Sequence, residues 1–252
     1  MNPAKSVILC LILTSCGGGS GSAPPAAVMM PAAGGDGGTT GGSTGTTEPA
    51  TYRITFDADW TAADFPTNYP DNPHFSPLVG TTHNQQVVFW EVDGQPASDG
   101  IESMAERGRT DTLGDEISAA RDNGYSVDVI EGSGIGRGDG ETSIEFDINV
   151  DYSMITFVSM IAPSPDWFVG VSGLSLLDTG GNWVTRLEVP LQVFDAGTDL
   201  GERPRSPDID SNGDNLPITL LSSDRADTDF EQGVHYQSSM VVGRFIIEKI
   251  QN

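Results

Sequence analysis

Cysteine is all but missing. The chain of 252 residues has two, Cys10 and Cys16, both near its N-terminus, so no disulfide can staple the rest and no thiolate cluster can hold zinc there. Histidine is nearly as scarce. His74, His83 and His235 stand at no metal-ligand spacing, which weighs against zinc chemistry and imidazole-based catalysis. Positive charge is short as well: 12 Lys and Arg face 36 Asp and Glu, for a formal net charge of −24. That excess disfavours nucleic acid and anionic membrane surfaces as partners and favours cations. Long apolar runs are lacking too. The greasy run from Val7 to Leu13 is far too short to span a bilayer as a helix.

What the N-terminus does have is order. Lys5 precedes the short apolar run, which ends in Leu13-Thr14-Ser15-Cys16, the layout of a secretory signal. The ending resembles the bacterial lipobox, in which the cysteine thiol takes a lipid and becomes the new N-terminus. We therefore expect residues 1–15 to be a lipoprotein signal peptide and Cys16 to be the lipidated residue. The alternative is an ordinary signal peptide with a chance cysteine. Gly17 after the cysteine fits an outer-membrane destination in a Gram-negative host. Residues 16–50, almost wholly Gly, Ser, Thr, Ala and Pro after the cysteine, offer too little apolar surface to offset their ordering entropy. They are expected to form a disordered tether with a span of roughly 30–35 Å.

From Thr51 the texture changes. "TYRITFDADW", "NQQVVFWEV" (84–92), "TSIEFDINV" (142–150), "SMITFVSMIA" (153–162), "WFVGVSGLSLL" (167–177), "WVTRLEVPLQVF" (183–194), "LPITLLS" (216–222) and "SMVVGRFIIEKI" (239–250) read as short strands. They are rich in Val, Ile, Thr and aromatics, and Gly, Pro, Asp and Asn separate them. Such spacing predicts an antiparallel sandwich or barrel over one domain, residues 51–252. Two helices interrupt the strands. Asp99 and Glu102 form a capping-box-like pair before "IESMAERG", which stops at Gly108. "DTLGDEISAARDNG" (111–124) puts Leu113, Ile117 and Ala120 on one face and stops at Gly124.

Candidate chemistry centres on acids in loops. Asp166 interrupts "APSPDWFVGV" just before an apolar run, and Asp195 and Asp199 flank Ala-Gly-Thr in "VFDAGTDLG". If adjacent loops bring the three together, hard oxygen ligands converge as a calcium site needs; the bland alternative is that each aspartate is a turn former. "DIDSNGDN" (208–215) begins like a calcium loop, but its twelfth position is Thr219, where an EF-hand needs a bidentate acid. A polar turn is the better reading there. "GSGIGRGDG" (132–140) has glycines at dinucleotide-like spacing but opens no helix, and its Arg-Gly-Asp at 137–139 reads best as part of a flexible hairpin loop. Ser172 is out of frame with a Gly-x-Ser-x-Gly elbow.

The run "APSPDWFVGVSGLSLLD" with "VPLQVFDAGTDLG" resembles the spondin domain, the N-terminal module of F-spondin and mindin, extracellular-matrix and cell-adhesion proteins. "YRITFDADWTAADFPTNYP", "HFSPLVGTTHN" and "GIESMAERG" resemble it too, so the similarity covers most of residues 51–200. The resemblance implies an all-β, C2-like antiparallel β-sandwich that binds Ca2+ through acids matching Asp166, Asp195 and Asp199. It also implies a partner-contacting glutamate, here Glu145, whose alternative reading is a solvent-facing strand residue. His83 matches a loop feature of the family and reads as structural. The chain lacks the disulfides of the animal proteins and the repeats that usually follow the domain, which puts their partners in doubt.

These expectations converge on a calcium-binding adhesion or recognition module, lipid-anchored in the cell envelope, meeting an extracellular protein or glycan and no nucleic acid. The alternative is a secreted, calcium-supported hydrolase acting on extracellular polymer, which rests only on the surplus of acids and the secretory signal. No catalytic residue can be named from the sequence.

Overall fold

A computed structural model describes residues 48–231 and 241–250. The signal peptide, Cys16, all of the tether but residues 48–50, and His235 lie outside the described residues. In chain order the elements are β1 (Ala50–Asp59), β2 (His74–Phe75), β3 (Val79–His83), α1 (Asp99–Arg107), α2 (Asp111–Asp122), β4 (Ile130–Glu131) and β5 (Asp139–Ile148). A 3-10 turn at Val150–Tyr152 leads to β6 (Met154–Ala162), β7 (Trp167–Ser175), β8 (Arg186–Pro190), β9 (Val193–Asp195), β10 (Thr219–Leu220) and β11 (Gly243–Lys249).

The strands form two antiparallel sheets. One has the order β5-β1-β11-β8; the other runs β10-β9-β7-β6-β3-β4, with β2 paired to β6. Alternation along the strands explains how the layers stack. Ile54 and Phe56 of β1, Phe146 of β5 and Phe245 of β11 point into the core between the sheets, where they meet Ile155, Phe157 and Ile161 of β6 and Trp167 and Val169 of β7. The intervening residues of β6 and β7, Val158, Met160 and Phe168, enter a second core on the far side of the larger sheet. Ile101 and Met104 of α1 and Leu113 and Ile117 of α2 close that second core. Strands β6 and β7 are therefore apolar on both faces, and this is why "SMITFVSMIA" and "WFVGV" read as continuous rather than alternating runs. The all-β antiparallel sandwich with two short helices is the architecture expected from the sequence.

Several local expectations are corrected. Residues 84–92 form no strand: Asn84 Oδ1 accepts the Gln86 N–H at 2.9 Å and turns the chain, leaving Val88 63% exposed while Trp90 is buried. The strand in this region is β3, just before it. "WVTRLEVPLQVF" is two strands in different sheets, β8 and β9, with the break at Leu191–Gln192. "LPITLLS" contributes only the two residues of β10. The cap of α1 is Ser98, one residue earlier than expected; its hydroxyl accepts the Ile101 N–H at 3.3 Å. The α1 stop at Gly108, in the left-handed region, is as expected, and so is the buried face of α2.

His83 is buried on β3 between the Asn84 carbonyl (2.8 Å from Nδ1) and the Thr156 hydroxyl (2.8 Å from Nε2). Burial pushes its pKa down, opposed by the contact with Asn84. Below the unfolded value near 6.5, the unfolded chain takes up a proton that folded His83 refuses. Its contribution to stability is therefore present above that value and is lost as pH falls towards the lower, folded pKa.

Two outcomes are expected. Phe157→Ala, in a side chain with no exposed surface whose ring packs at a tilt against Phe146, lowers the unfolding free energy by about 3–5 kcal/mol, whereas Val88→Ala changes it by under about 0.5 kcal/mol; urea titration measures both. His83→Gln weakens the extra loss of stability seen between pH 7.5 and pH 5.5, compared with wild type, in the same titration.

Candidate metal centre

Strand β9 lies beside β7 with Asp195 opposite Trp167, so Asp166 and Asp195 come to adjacent strand ends. The Ala196 N–H donates to the Asp166 carbonyl at 3.1 Å. The chain then turns at Gly197, whose φ of 75° favours glycine and whose added Cβ would meet the Leu216 carbonyl oxygen at 2.4 Å. That turn aims the next two main-chain donors back at Asp166. Its Oδ2 accepts the Thr198 N–H at 2.8 Å and the Asp199 N–H at 3.1 Å, with the Thr198 hydroxyl at 3.4 Å.

The other two aspartates are held in the same manner. Asp195 Oδ1 accepts the Gly197 N–H at 3.0 Å, and its Oδ2 faces Arg225 Nη2 at 2.7 Å. Asp199 takes the Gly201 N–H on Oδ1 at 2.7 Å and the Ile209 N–H on Oδ2 at 3.0 Å. All three are buried, at 0%, 6% and 7% exposure for Asp166, Asp195 and Asp199. One atom stands out: the buried Oδ1 of Asp166 has no hydrogen-bond partner among the described residues.

The electrostatics follow from this burial. Loss of hydration pushes the Asp166 pKa up to about 7; the Asp195 and Asp199 charges add to the rise, and the bonds from Thr198 and Asp199 oppose it. Burial also raises Asp195, against the pull of Arg225. A fourth carboxylate, Glu106 in the last turn of α1, joins the group. Burial raises its pKa, the Thr198 hydroxyl and Arg107 hold it down, and Glu102 and Asp199 push it up. Its Oε2 lies 3.0 Å from Arg107 Nη2, and its side chain is only 11% exposed. Four carboxylates thus share two guanidinium groups. Reading the sequence missed Glu106, although a signal was there: an acid in the last turn of a helix opposes the helix dipole.

The donor set consists of hard oxygens with a deficit of positive charge, which suits a divalent cation such as calcium. The side chains are not drawn into a ready coordination sphere. Among the described residues, no group of three or more His, Cys, Asp or Glu is placed to hold a metal. The physical reason is that main-chain N–H groups of the 197–209 loops already hold four of the carboxylate oxygens and Arg225 sits on Asp195.

The comparison with known families bears on the whole domain. A family model described as Spondin_N matches residues 50–238. The chain belongs to the spondin N-terminal domain family. The match reaches well past residue 200, where the resemblance read from the sequence became loose. Spondin-2 of Rattus norvegicus is 37% identical over 164 residues, 64% of this chain and 49% of that protein. Spondin-2 of Homo sapiens is 38% identical over the same length and coverage. Spondin-1 of Gallus gallus is 29% identical over 209 residues, 80% of this chain and 25% of that protein. The chain spans about half the length of these Spondin-2 relatives and about a quarter of Spondin-1.

The other candidates of this spondin domain lie elsewhere. Glu145 sits on the edge strand β5, directly across from Arg53 in register, and pairs with it at 2.5 Å with both side chains about half exposed. It is far in the topology from the aspartates, in the other sheet. Asp210 Oδ1 accepts the Asn212 N–H and makes a tight polar turn of 208–215. This turn leans on the aspartate loop, because the Ser211 N–H donates to the Thr198 carbonyl at 2.9 Å. The Arg137–Asp139 tripeptide is not in a hairpin, since β4 and β5 belong to different sheets. It is pinned by the Trp60 N–H on the Gly138 carbonyl at 2.9 Å, and the Arg137 guanidinium folds back on Asp139. A strand, β5, follows these glycines, so they cradle no helix N-terminus. The Ser172 hydroxyl donates to the Trp90 carbonyl at 2.5 Å.

Replacing Asp166 by Asn removes a buried charge that has too little compensation. In chelator at pH 8, Asp166→Asn is expected to stabilise the fold by about 1–3 kcal/mol, read as a higher denaturant midpoint. A large loss of stability in chelator would mean that the charge is already compensated without a cation.

Proposed function

We propose that this spondin domain is a calcium-binding recognition or adhesion module of the cell exterior. The observation that carries the reading is Asp166 Oδ1, a fully buried carboxylate oxygen without a partner among the described residues, beside Asp195 and Asp199. Asp166, Asp195 and Asp199 would hold the ion, with main-chain carbonyls and water completing a shell of six to eight oxygens. The chemistry it supplies is charge neutralisation, not catalysis. The residues themselves tie together the start of β7, the turn at Gly197 and the 208–215 turn, so neutralising their charges stiffens one end of the sandwich.

The same loops carry a contact surface. Leu200, Ile209 and Leu216 are exposed large apolar side chains, and the main-chain bonds Leu200–Ile209 and Leu216–Gly197 fasten them to the aspartate turn. Exposed apolar side chains grouped on ordered loops mark a recognition surface, here for an extracellular protein or glycan. Glu145 remains a second candidate contact, on the other sheet. A lipid on Cys16 and a tether over residues 16–50 would hold the domain, residues 51–252, clear of an envelope membrane. Among the described residues no helix is long and apolar enough to cross a membrane.

The full chain melted with calcium and with chelator tests the reading. At calcium a hundredfold above its dissociation constant, wild type gains about 2.7 kcal/mol, seen as a higher Tm, and the double variant Asp195→Asn/Asp199→Asn gains nothing. Equal melting of wild type under both conditions ends the calcium reading. A glycan and matrix-protein binding array, run with and without calcium, then tests the recognition role.

A further inference from the structure

The three aspartates have six carboxylate oxygens, and main-chain N–H groups hold four of them: Asp166 Oδ2, Asp195 Oδ1 and both oxygens of Asp199. The two others differ in their surroundings. Asp166 Oδ1 has no partner among the described residues, and Asp195 Oδ2 faces Arg225 Nη2 at 2.7 Å. Among the described residues, Arg225 is the one cation paired with any of the three. Its side chain is 43% exposed whereas that of Asp195 is 8% exposed, so the guanidinium reaches a buried carboxylate from the solvent side.

Arg225 also belongs to a segment with its own anchors. The Arg225 and Ala226 N–H groups bond the Ser222 carbonyl, and the Asp227 N–H bonds the Glu202 carbonyl at 2.7 Å. Asp229 accepts the Thr67 hydroxyl at 2.8 Å. Phe230 lies edge-on to Trp167, the residue after Asp166, with ring centroids 6.0 Å apart. The Arg225 side chain thus ties the 222–230 segment to Asp195 through Nη2 and to the Thr219 hydroxyl of β10 through Nη1, and losing the Asp195 contact removes one of the segment's anchors.

We propose that Arg225 is the resident counter-ion of the centre, and that a divalent cation must displace it from Asp195 to bind. The inference rests on the calcium reading above. Guanidinium and metal need the same Asp195 oxygen, and two cations in contact at one buried carboxylate repel. Arg225 thus keeps the domain folded without metal and lowers its apparent affinity by the fraction of time the guanidinium occupies Asp195. Metal binding tightens the aspartate turn and loosens the 222–230 segment, so the segment's state reports whether the centre is filled.

Calcium titration of the full chain by calorimetry, for wild type, Arg225→Gln and Arg53→Gln, tests this. Arg53 pairs with Glu145 in the other sheet, so its loss controls for the general removal of positive charge. Arg225→Gln is expected to bind calcium roughly tenfold more tightly and to melt lower than wild type in chelator, with the difference closing in calcium. Arg53→Gln is expected to match wild type. Hydrogen exchange on wild type needs no variant: calcium should slow exchange over 195–201 and speed it over 222–230. If wild type binds calcium but Arg225→Gln binds equally or more weakly, or exchange over 222–230 slows, the counter-ion proposal is wrong while the calcium reading stands. If wild type neither releases heat nor changes its Tm with calcium, the calcium reading itself fails, and this proposal with it.

Discussion

Strand β6 from Ile155 on and β7 from Trp167 to Val171 have no face left for water, and the other layers are arranged around that constraint. Residues that alternate along them enter two different cores, so the smaller sheet must cover one side and the helix pair the other. Polar side chains in this layer have to satisfy one another. Thr156 meets His83 and the Gly173 N–H, while Ser159 donates to the Ser76 carbonyl. An acid within these strands would have no such remedy, because desolvating a charge costs far more than desolvating a hydroxyl. The strand ends are the first places where carboxylates can stand.

The candidate centre occupies one of those ends, and its electrostatics come from the packing beside it. Asp166 directly precedes Trp167, which is fully buried and faces Phe230. Its carboxyl is therefore held at the margin of the apolar layer, where two main-chain donors compensate one oxygen and leave the other bare. Glu106 arrives from α1 because that helix closes the second core. Its burial is a consequence of packing Met104 and Ala105. The excess of carboxylate over guanidinium here is thus produced by three separate elements meeting, and loop composition alone would not create it.

Where reading the sequence failed, the tertiary contacts explain why. "NQQVVFWEV" has the composition of a strand, but Trp90 is wanted by Phe168 and Phe194, and the chain bends to deliver it while Val88 stays in solvent. In "WVTRLEVPLQVF" the apolar residues Leu187, Val189, Leu191 and Val193 recur at every second position, so the period runs straight across Leu191–Gln192, where the chain leaves one sheet for the other. Glu106 looked like an ordinary helix acid because its neighbours, Thr198 and Asp199, lie some ninety positions away in the chain. Arg225 was passed over for the same reason. Its partner Asp195 was visible, but the loop between them is irregular, and no periodicity reaches across it.

What the sequence by itself determined was local or composite: the antiparallel sandwich, the two helices with their glycine stops, the three aspartates as a set, and the spondin family. Those follow from hydrophobic period, turn chemistry and a distinctive run of residues, all of which are read along the chain. The tertiary structure alone decided that Asp166 is left with a bare oxygen, that Glu106 joins it, and that Arg225 covers Asp195. Charge compensation in a buried site depends on distance through space and on the water excluded around it, and neither quantity is written in the order of the residues.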